Sequence, residues 1–142
     1  MKKPALILRQ SGVLPYRMTA GKVEVLLITS TRRKHWIIPK GWIALGLSAA
    51  ASAAKEALEE AGVSGHVQSA AIATCRDRKW GYPCQMEVFL MRVETILDHW
   101  PEATQRKRQW LSLPQATKRV KSKALKRLLV RLQAQPALLD HD

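Results

Sequence analysis

Apolar positions crowd into a few short runs along this chain, and the spacing inside each run predicts its secondary structure. Val23 to Thr29 reads Val-Glu-Val-Leu-Leu-Ile-Thr, close to continuously apolar, which predicts a strand covered on both faces. Gly21 marks a hairpin turn ahead of it. A first strand is predicted over Ala5 to Leu14, interrupted near Ser11-Gly12. Trp36-Ile37-Ile38 is a short strand that Pro39 ends. Further strands are predicted at about Val67 to Asp77, Gln85 to Val93 and Arg108 to Leu111. Ser48 is a good helix N-cap, and the helix runs to about Ala61. Its alanines at 49, 50, 51, 53 and 54 allow close packing on a sheet. Pro114 to Thr117 starts a short helix, with proline at an early position. Lys121 to Gln133 is amphipathic, with Leu125, Leu128, Leu129 and Leu132 on one face. The tail from Pro136 to Asp142 is expected to be loosely ordered. Strands, helix, strands, helix is the order of an α/β protein with a mixed sheet between helices, an α/β/α sandwich.

Residues 1–142 suit one domain with a proper core, with no repeat or linker. No run approaches the roughly 20 apolar residues that cross a membrane. The apolar stretch Ala5 to Leu8 behind Lys2 and Lys3 is too short for a secretory signal, so a cytoplasmic location is expected. Cys75 and Cys84 read as free thiols. Charge changes the picture most. Lysine and arginine number 24 against 11 acids, a formal charge of +13. No acid occurs from Ala103 to Leu139, where ten basic residues stand. Such a field attracts phosphate-rich small molecules or nucleic acid, although a basic surface also serves solubility.

Against that background, Glu56, Glu59 and Glu60 crowd the end of the first predicted helix. Spacings of three and four put them on adjacent positions of one face. Gly62 then reads as the left-handed residue that ends the helix. Carboxylates there oppose the helix dipole by roughly 0.3–1 kcal/mol each, and they repel one another. A bound hard cation such as Mg²⁺ would reverse both penalties. A solvated acidic face is the alternative reading of the same three residues.

The stretch from Gly41 to Val63 resembles the signature of the Nudix hydrolases, G-x5-E-x7-R-E-U-x-E-E-x-G-U, with U a bulky aliphatic residue. Gly41, Glu56, Glu59, Glu60, Gly62 and Val63 match without a gap. Leu47 stands where the first glutamate belongs, Lys55 where arginine belongs, and Ala57 at the aliphatic position. Ala44 also lacks a carboxylate often seen in that loop. The resemblance implies the Nudix fold and Mg²⁺- or Mn²⁺-dependent attack of water on a phosphoanhydride. It implies metal binding by Glu56, Glu59 and Glu60, with the backbone at Gly41 beside the metal, and the same three glutamates as the catalytic set. Glu56 or Glu60 would alternatively serve as a general base. The missing pair at 47 and 55 puts catalytic efficiency in question.

A narrower resemblance is to the diphosphoinositol polyphosphate phosphohydrolases. It is carried by Trp36 to Pro39, Lys55 to Gly65 and Arg106 to Trp110. That branch implies substrates dense in phosphate, including dinucleoside polyphosphates. Candidate phosphate contacts are Arg32, Arg33 and His35 in one loop, Lys40 beside Gly41, Arg76 and Arg78 in a second loop, and Arg106 and Arg108 in a third. Trp42 and Trp80 are placed in loops, where they would stack on a base or sugar, whereas Trp36 and Trp110 read as core. His66, His99 and His141 read as ordinary. The leading expectation is a pyrophosphohydrolase, monomeric or homodimeric. The alternative is a weakly active or inactive module that binds nucleotides or RNA through its basic surface. Removal of pyrophosphate from RNA 5′ ends would combine the two.

Overall fold

A computed structural model describes residues 6–140. Its centre is a mixed sheet built around two long strands, β1 (Leu8–Thr19) and β7 (Tyr82–Ile96), which run parallel in register from Leu8 opposite Cys84 to Tyr16 opposite Arg92. Around them, in antiparallel pairs, lie β2 (Lys22–Thr29), β3 (Trp36–Ile37), β4 (Lys40–Trp42), β5 (Val63–Val67), β6 (Ala73–Lys79) and β8 (Arg108–Ser112). The path through the sheet is β3-β2-β1-β7-β5, with β8 on β2, β4 on the first half of β1, and β6 on the first half of β7.

Period-two alternation within the apolar runs splits the core in two. Val13, Leu26, Ile28, Phe89 and Met91 face one side, where Ala53, Ala57 and Ala61 of the first helix pack. Leu14, Val25, Leu27, Val88 and Leu90 face the other, against Leu125, Leu128, Leu129 and Leu132. This is why β2 is apolar without a break from Val25 to Ile28: both of its faces are covered there. α1 (Ala49–Glu56) lies alone on the first side, with Ser48 as its N-cap. α2 (Leu113–Arg119) and α3 (Lys123–Ala134) cover the second. α2 begins in a capping box, Ser112 with Gln115, and has Pro114 in its first turn. The α/β/α sandwich is as expected from the element order.

Four expectations are corrected. β1 is not broken at Ser11-Gly12 but runs on to Thr19. Ser11 is fully buried and its hydroxyl donates to the Ala49 carbonyl at 2.7 Å, while a side chain at Gly12 would meet Met86 at 2.9 Å, so both small residues make room for neighbours. The predicted strand from Val67 to Asp77 is two strands, β5 and β6, both paired to β7 across the connection 68–72. Trp42, expected in a loop, is the last residue of the strand β4, after Lys40 and Gly41. The tail is anchored through Asp140: Leu139 is buried, the Tyr16 hydroxyl donates to its carbonyl, and the Gln68 amide donates to the Leu138 carbonyl at 3.1 Å. Trp36 and Trp110 sit at the core's margins, half-buried, each beneath a guanidinium (Arg119 and Arg17). Cys75 and Cys84 are free thiols. Lys2, Lys3, Ala5, His141 and Asp142 lie outside the described residues.

Candidate active site

The acidic run sits where α1 changes its winding. From Ala57 to Ala61 the backbone widens into one π-helical turn, a form that is rare and frequent at functional sites. Gly62 closes it at φ 67°, the left-handed cap that the sequence predicts. The end of this helix is not left to its dipole. Arg108 donates to the Ala61 carbonyl at 2.9 Å and to the Leu97 carbonyl at 2.6 Å, and its guanidinium lies 3.9 Å over the Trp100 ring. Trp100 in turn donates its indole N–H to the Glu60 carbonyl at 3.0 Å. A cation placed on the last carbonyls favours the helix end that three carboxylates oppose.

The three glutamates then part company. Glu60 is buried, 7% exposed. Its Oε1 accepts the Lys40 backbone N–H at 3.0 Å, and its Oε2 lies 3.2 Å from the Arg106 guanidinium. Burial is the largest influence on its acidity, and Glu56 and Glu102 add like charge. Together they outweigh Lys40 and Arg106 and push its pKa up to about 7. Arg106 neutralises Glu60 incompletely because Glu102 claims the same guanidinium at 2.9 Å. Glu56 is half-buried; burial, then the neighbouring Glu59 charge, raises its pKa as well, and a hydrogen bond shared with Glu60 opposes the rise. Its carboxyl packs on the bare Cα of Gly41: a β-carbon there would lie 2.4 Å from it. Glu59 instead faces Lys55, at 2.9 Å on the outer surface. Among the described residues, no three His, Cys, Asp or Glu side chains converge as a ligand set. Glu56 and Glu60 still fit a hard cation. Both are oxygen donors, both are drawn from water, and both have raised pKa values that a positive ion would lower. The glycine that leaves Glu56 its space is the same Gly41 that the signature requires.

Glu102 is a partner that sequence reasoning missed. It stands four residues before Arg106 in the loop between β7 and β8, and its backbone N–H donates to the Glu59 carbonyl at 3.1 Å. The i,i+4 acid–base spacing was its only signal. The loop after β4 lacks the signature glutamate, yet it is held: Ser52 of α1 accepts the Ala44 N–H at 3.0 Å. Leu45 and Leu47 stand out from it into solvent.

Of the expected phosphate contacts, Arg106 and Arg108 are committed to protein partners. Arg106 binds Glu60, Glu102 and the Thr29 carbonyl, and Arg108 caps the helix. Both flank Lys107, which pairs with Thr29 and brings this segment under the helix end. Arg32 and Arg33 are exposed on the turn before β3. Arg76 and Arg78 are in β6, not in a loop, and Arg78 folds back onto the Gly81 carbonyl. His35, Lys40 and Arg76 do gather. His35 and Lys40 line a cavity of about 220 Å³ beneath the start of α3, together with Cys75 and Lys121. Lys40, Arg76 and Lys79 line an adjoining one of about 170 Å³. Burial, then the Lys79 charge, lowers the pKa of Lys40.

No family model matches the chain. Among curated proteins it is 30% identical over 128 residues to Nudix hydrolase 12, mitochondrial, of Arabidopsis thaliana, covering 75% of this chain and 63% of that protein. It is 34% identical over 99 residues to diphosphoinositol polyphosphate phosphohydrolase 2 of Rattus norvegicus, covering 67% of this chain and 53% of that one. The chain thus spans less than two thirds of either relative. Among solved structures, a C. elegans Ap4A hydrolase superposes with a TM-score of 0.74 at 25% identity, over 91% of this chain and 98% of that one. Sequence kinship, shared fold and the gapless run from Gly41 to Val63 agree: the chain belongs to the Nudix hydrolases.

Proposed function

We propose that this protein is a divalent-metal-dependent pyrophosphohydrolase that cleaves a phosphoanhydride in a phosphate-rich small molecule. The observation that carries the reading is the Glu56 carboxyl set against bare Gly41 and beside buried Glu60. A Mg²⁺ or Mn²⁺ ion held there would supply charge neutralisation to the phosphate oxygens and a lowered pKa to the attacking water. The chain's own residues do the rest. The Lys40 N–H and Arg106 fix the Glu60 carboxylate within the π turn, and Glu56, the last residue of α1 before that turn, hydrogen-bonds to it. Lys40, Arg76 and Lys79 offer cations along the neighbouring cavities, and His35 a ring N–H beside them, which suits a substrate with several phosphates. The names of the relatives suggest two substrate classes: diphosphoinositol polyphosphates and dinucleoside polyphosphates such as Ap4A.

The test is a panel of both classes, with nucleoside diphosphate derivatives, incubated with Mg²⁺ or Mn²⁺ and scored for orthophosphate and nucleotide products. Turnover is expected in the wild type and lost in Glu60→Gln, with circular dichroism unchanged. An E60Q variant that still turns over contradicts the reading.

A second reading has its own support. Glu59 is drawn off to Lys55, and Leu47 replaces the signature glutamate, which favours a module that binds nucleotides or RNA with little catalysis. Its signature would be salt-sensitive binding, through the basic surface, without metal-dependent product. No helix among the described residues is long and apolar enough to cross a membrane.

A further inference from the structure

We infer that Trp80, backed by Trp42, is a stacking platform for the base of a nucleoside polyphosphate, and that the substrate therefore carries a base. The inference rests on the pyrophosphohydrolase reading for its place in the reaction, but not for its test.

The β6–β7 hairpin turns through two residues, Trp80 at φ 52° and Gly81 at φ 81°. Such turns favour Asn-Gly, because both central positions have positive φ. A tryptophan with a positive φ is an outlier that costs of order 1 kcal/mol, and such strain collects at functional sites. Core packing does not explain it, for Trp80 is 78% exposed. Its ring stacks on that of Trp42, 5.7 Å between centroids and 28° between planes. Trp42 is itself 44% exposed, so the pair is a two-ring shelf in solvent. The rings are too close to admit a third between them, which leaves the open face of Trp80 for a ligand.

The shelf stands on the cation side of β4, across the strand from Glu56. Trp42 pairs with Gln10 and shares the face of Lys40, whereas Gly41 and its partner Ser11 face α1 and Glu56. The Lys79 ammonium lies 5.6 Å over the Trp42 ring, and the same lysine lines the cavity shared with Lys40 and Arg76. An aromatic surface adjoining a row of cations matches a molecule with a flat base at one end and phosphates at the other. An inositol pyrophosphate has the phosphates and nothing to stack.

ATP and inorganic tripolyphosphate, titrated in metal-free buffer by calorimetry and tryptophan fluorescence, separate the two halves of such a ligand without turnover. ATP is expected to quench the fluorescence and to bind roughly tenfold tighter than tripolyphosphate, the size of one base stack. Trp80→Ala should remove that advantage and leave tripolyphosphate affinity unchanged, while Trp80→Phe should keep most of it. Because alanine is strained at this φ, Trp80→Asn, which tolerates it, repeats the test with circular dichroism as the control on folding. Equal affinity for the two probes, or undiminished ATP preference in both W80A and W80N, overturns the inference. A protein that prefers ATP yet hydrolyses nothing in the panel would keep the platform and lose the enzyme. One that hydrolyses the panel without preferring ATP would do the reverse.

Discussion

The carboxyl of Glu56 occupies the space that a side chain at Gly41 would need, 2.4 Å from the position of its β-carbon. Two residues fifteen apart in the signature are thus one steric unit. Gly41→Ala should force the Glu56 carboxylate aside, since that flexible end is the part able to move. The backbone is not asked to change, so stability should fall by less than about 1 kcal/mol. Calorimetric Mn²⁺ affinity and turnover should both drop at least roughly tenfold. If G41A binds Mn²⁺ as the wild type does, Glu56 is not a ligand.

Glu60 makes stability depend on pH in an unusual direction. Its folded-state pKa, about 7, lies above the ordinary carboxylate value of 4.5, so between those pH values the folded chain holds a proton that the unfolded chain releases. The contribution is complete below about pH 4.5, is lost as pH rises toward 7, and amounts to about 3 kcal/mol. In metal-free buffer, the melting temperature of Glu60→Gln should gain on the wild type by several degrees between pH 5 and pH 8. Added Mg²⁺ should narrow that gap by stabilising the ionised wild type alone. A gap that stays constant with pH would show that Glu60 titrates normally.

The same contrast between backbone need and side-chain environment shows what was legible in the sequence. The sandwich is readable because β2 and α3 announce their faces through period: a doubly apolar run in one, leucines at helical spacing in the other. The cap at Gly62 is readable because only local geometry decides it. At Ser11-Gly12 of β1, small polar residues look like a break and are instead clearance for Met86 and the start of α1. The gap between β5 and β6 has no breaker residue to mark it; β7 dictates it by pairing with both. At the site, spacing puts three carboxylates on one face but does not name their partners. Lys55 lies one turn before Glu59 and is foreseeable, whereas the hold of Arg106 on Glu60 spans 46 residues and depends on the β2–β8 pairing.

Two glycines with left-handed φ separate conformational cost from crowding. At Gly21, φ 77°, an added β-carbon would have nothing within 4 Å, whereas at Gly62, φ 67°, it would lie 2.7 Å from Arg108 and 2.8 Å from the Trp100 ring. Gly21→Ala should cost about 1 kcal/mol from conformation alone. Gly62→Ala should cost about 2–4 kcal/mol in denaturant unfolding, since it also pries Arg108 off the helix end. Equal losses in the two variants would mean that the Arg108–Trp100 contact yields without cost.

Arg106 links the loop after β7 to the site: its fork reaches Glu102 at 2.9 Å, the Thr29 carbonyl at 3.1 Å and Glu60 at 3.2 Å, with a side chain only 10% exposed. Removing it strands the buried Glu60 charge beside Glu102. Arg106→Ala should therefore destabilise the metal-free protein by about 3 kcal/mol or more at pH 8, the usual result of breaking a buried pair from one side. The loss should shrink at pH 5, where Glu60 is protonated in the folded state and no charge is stranded. Arg106→Lys keeps the charge but loses the planar fork that spans three separated acceptors, so it should fall between the two. Mg²⁺ should raise the melting temperature of R106A more than that of the wild type, because in the variant the metal replaces the cation that Glu60 has lost. If R106A melts like the wild type at pH 8, the guanidinium is not what steadies that carboxylate.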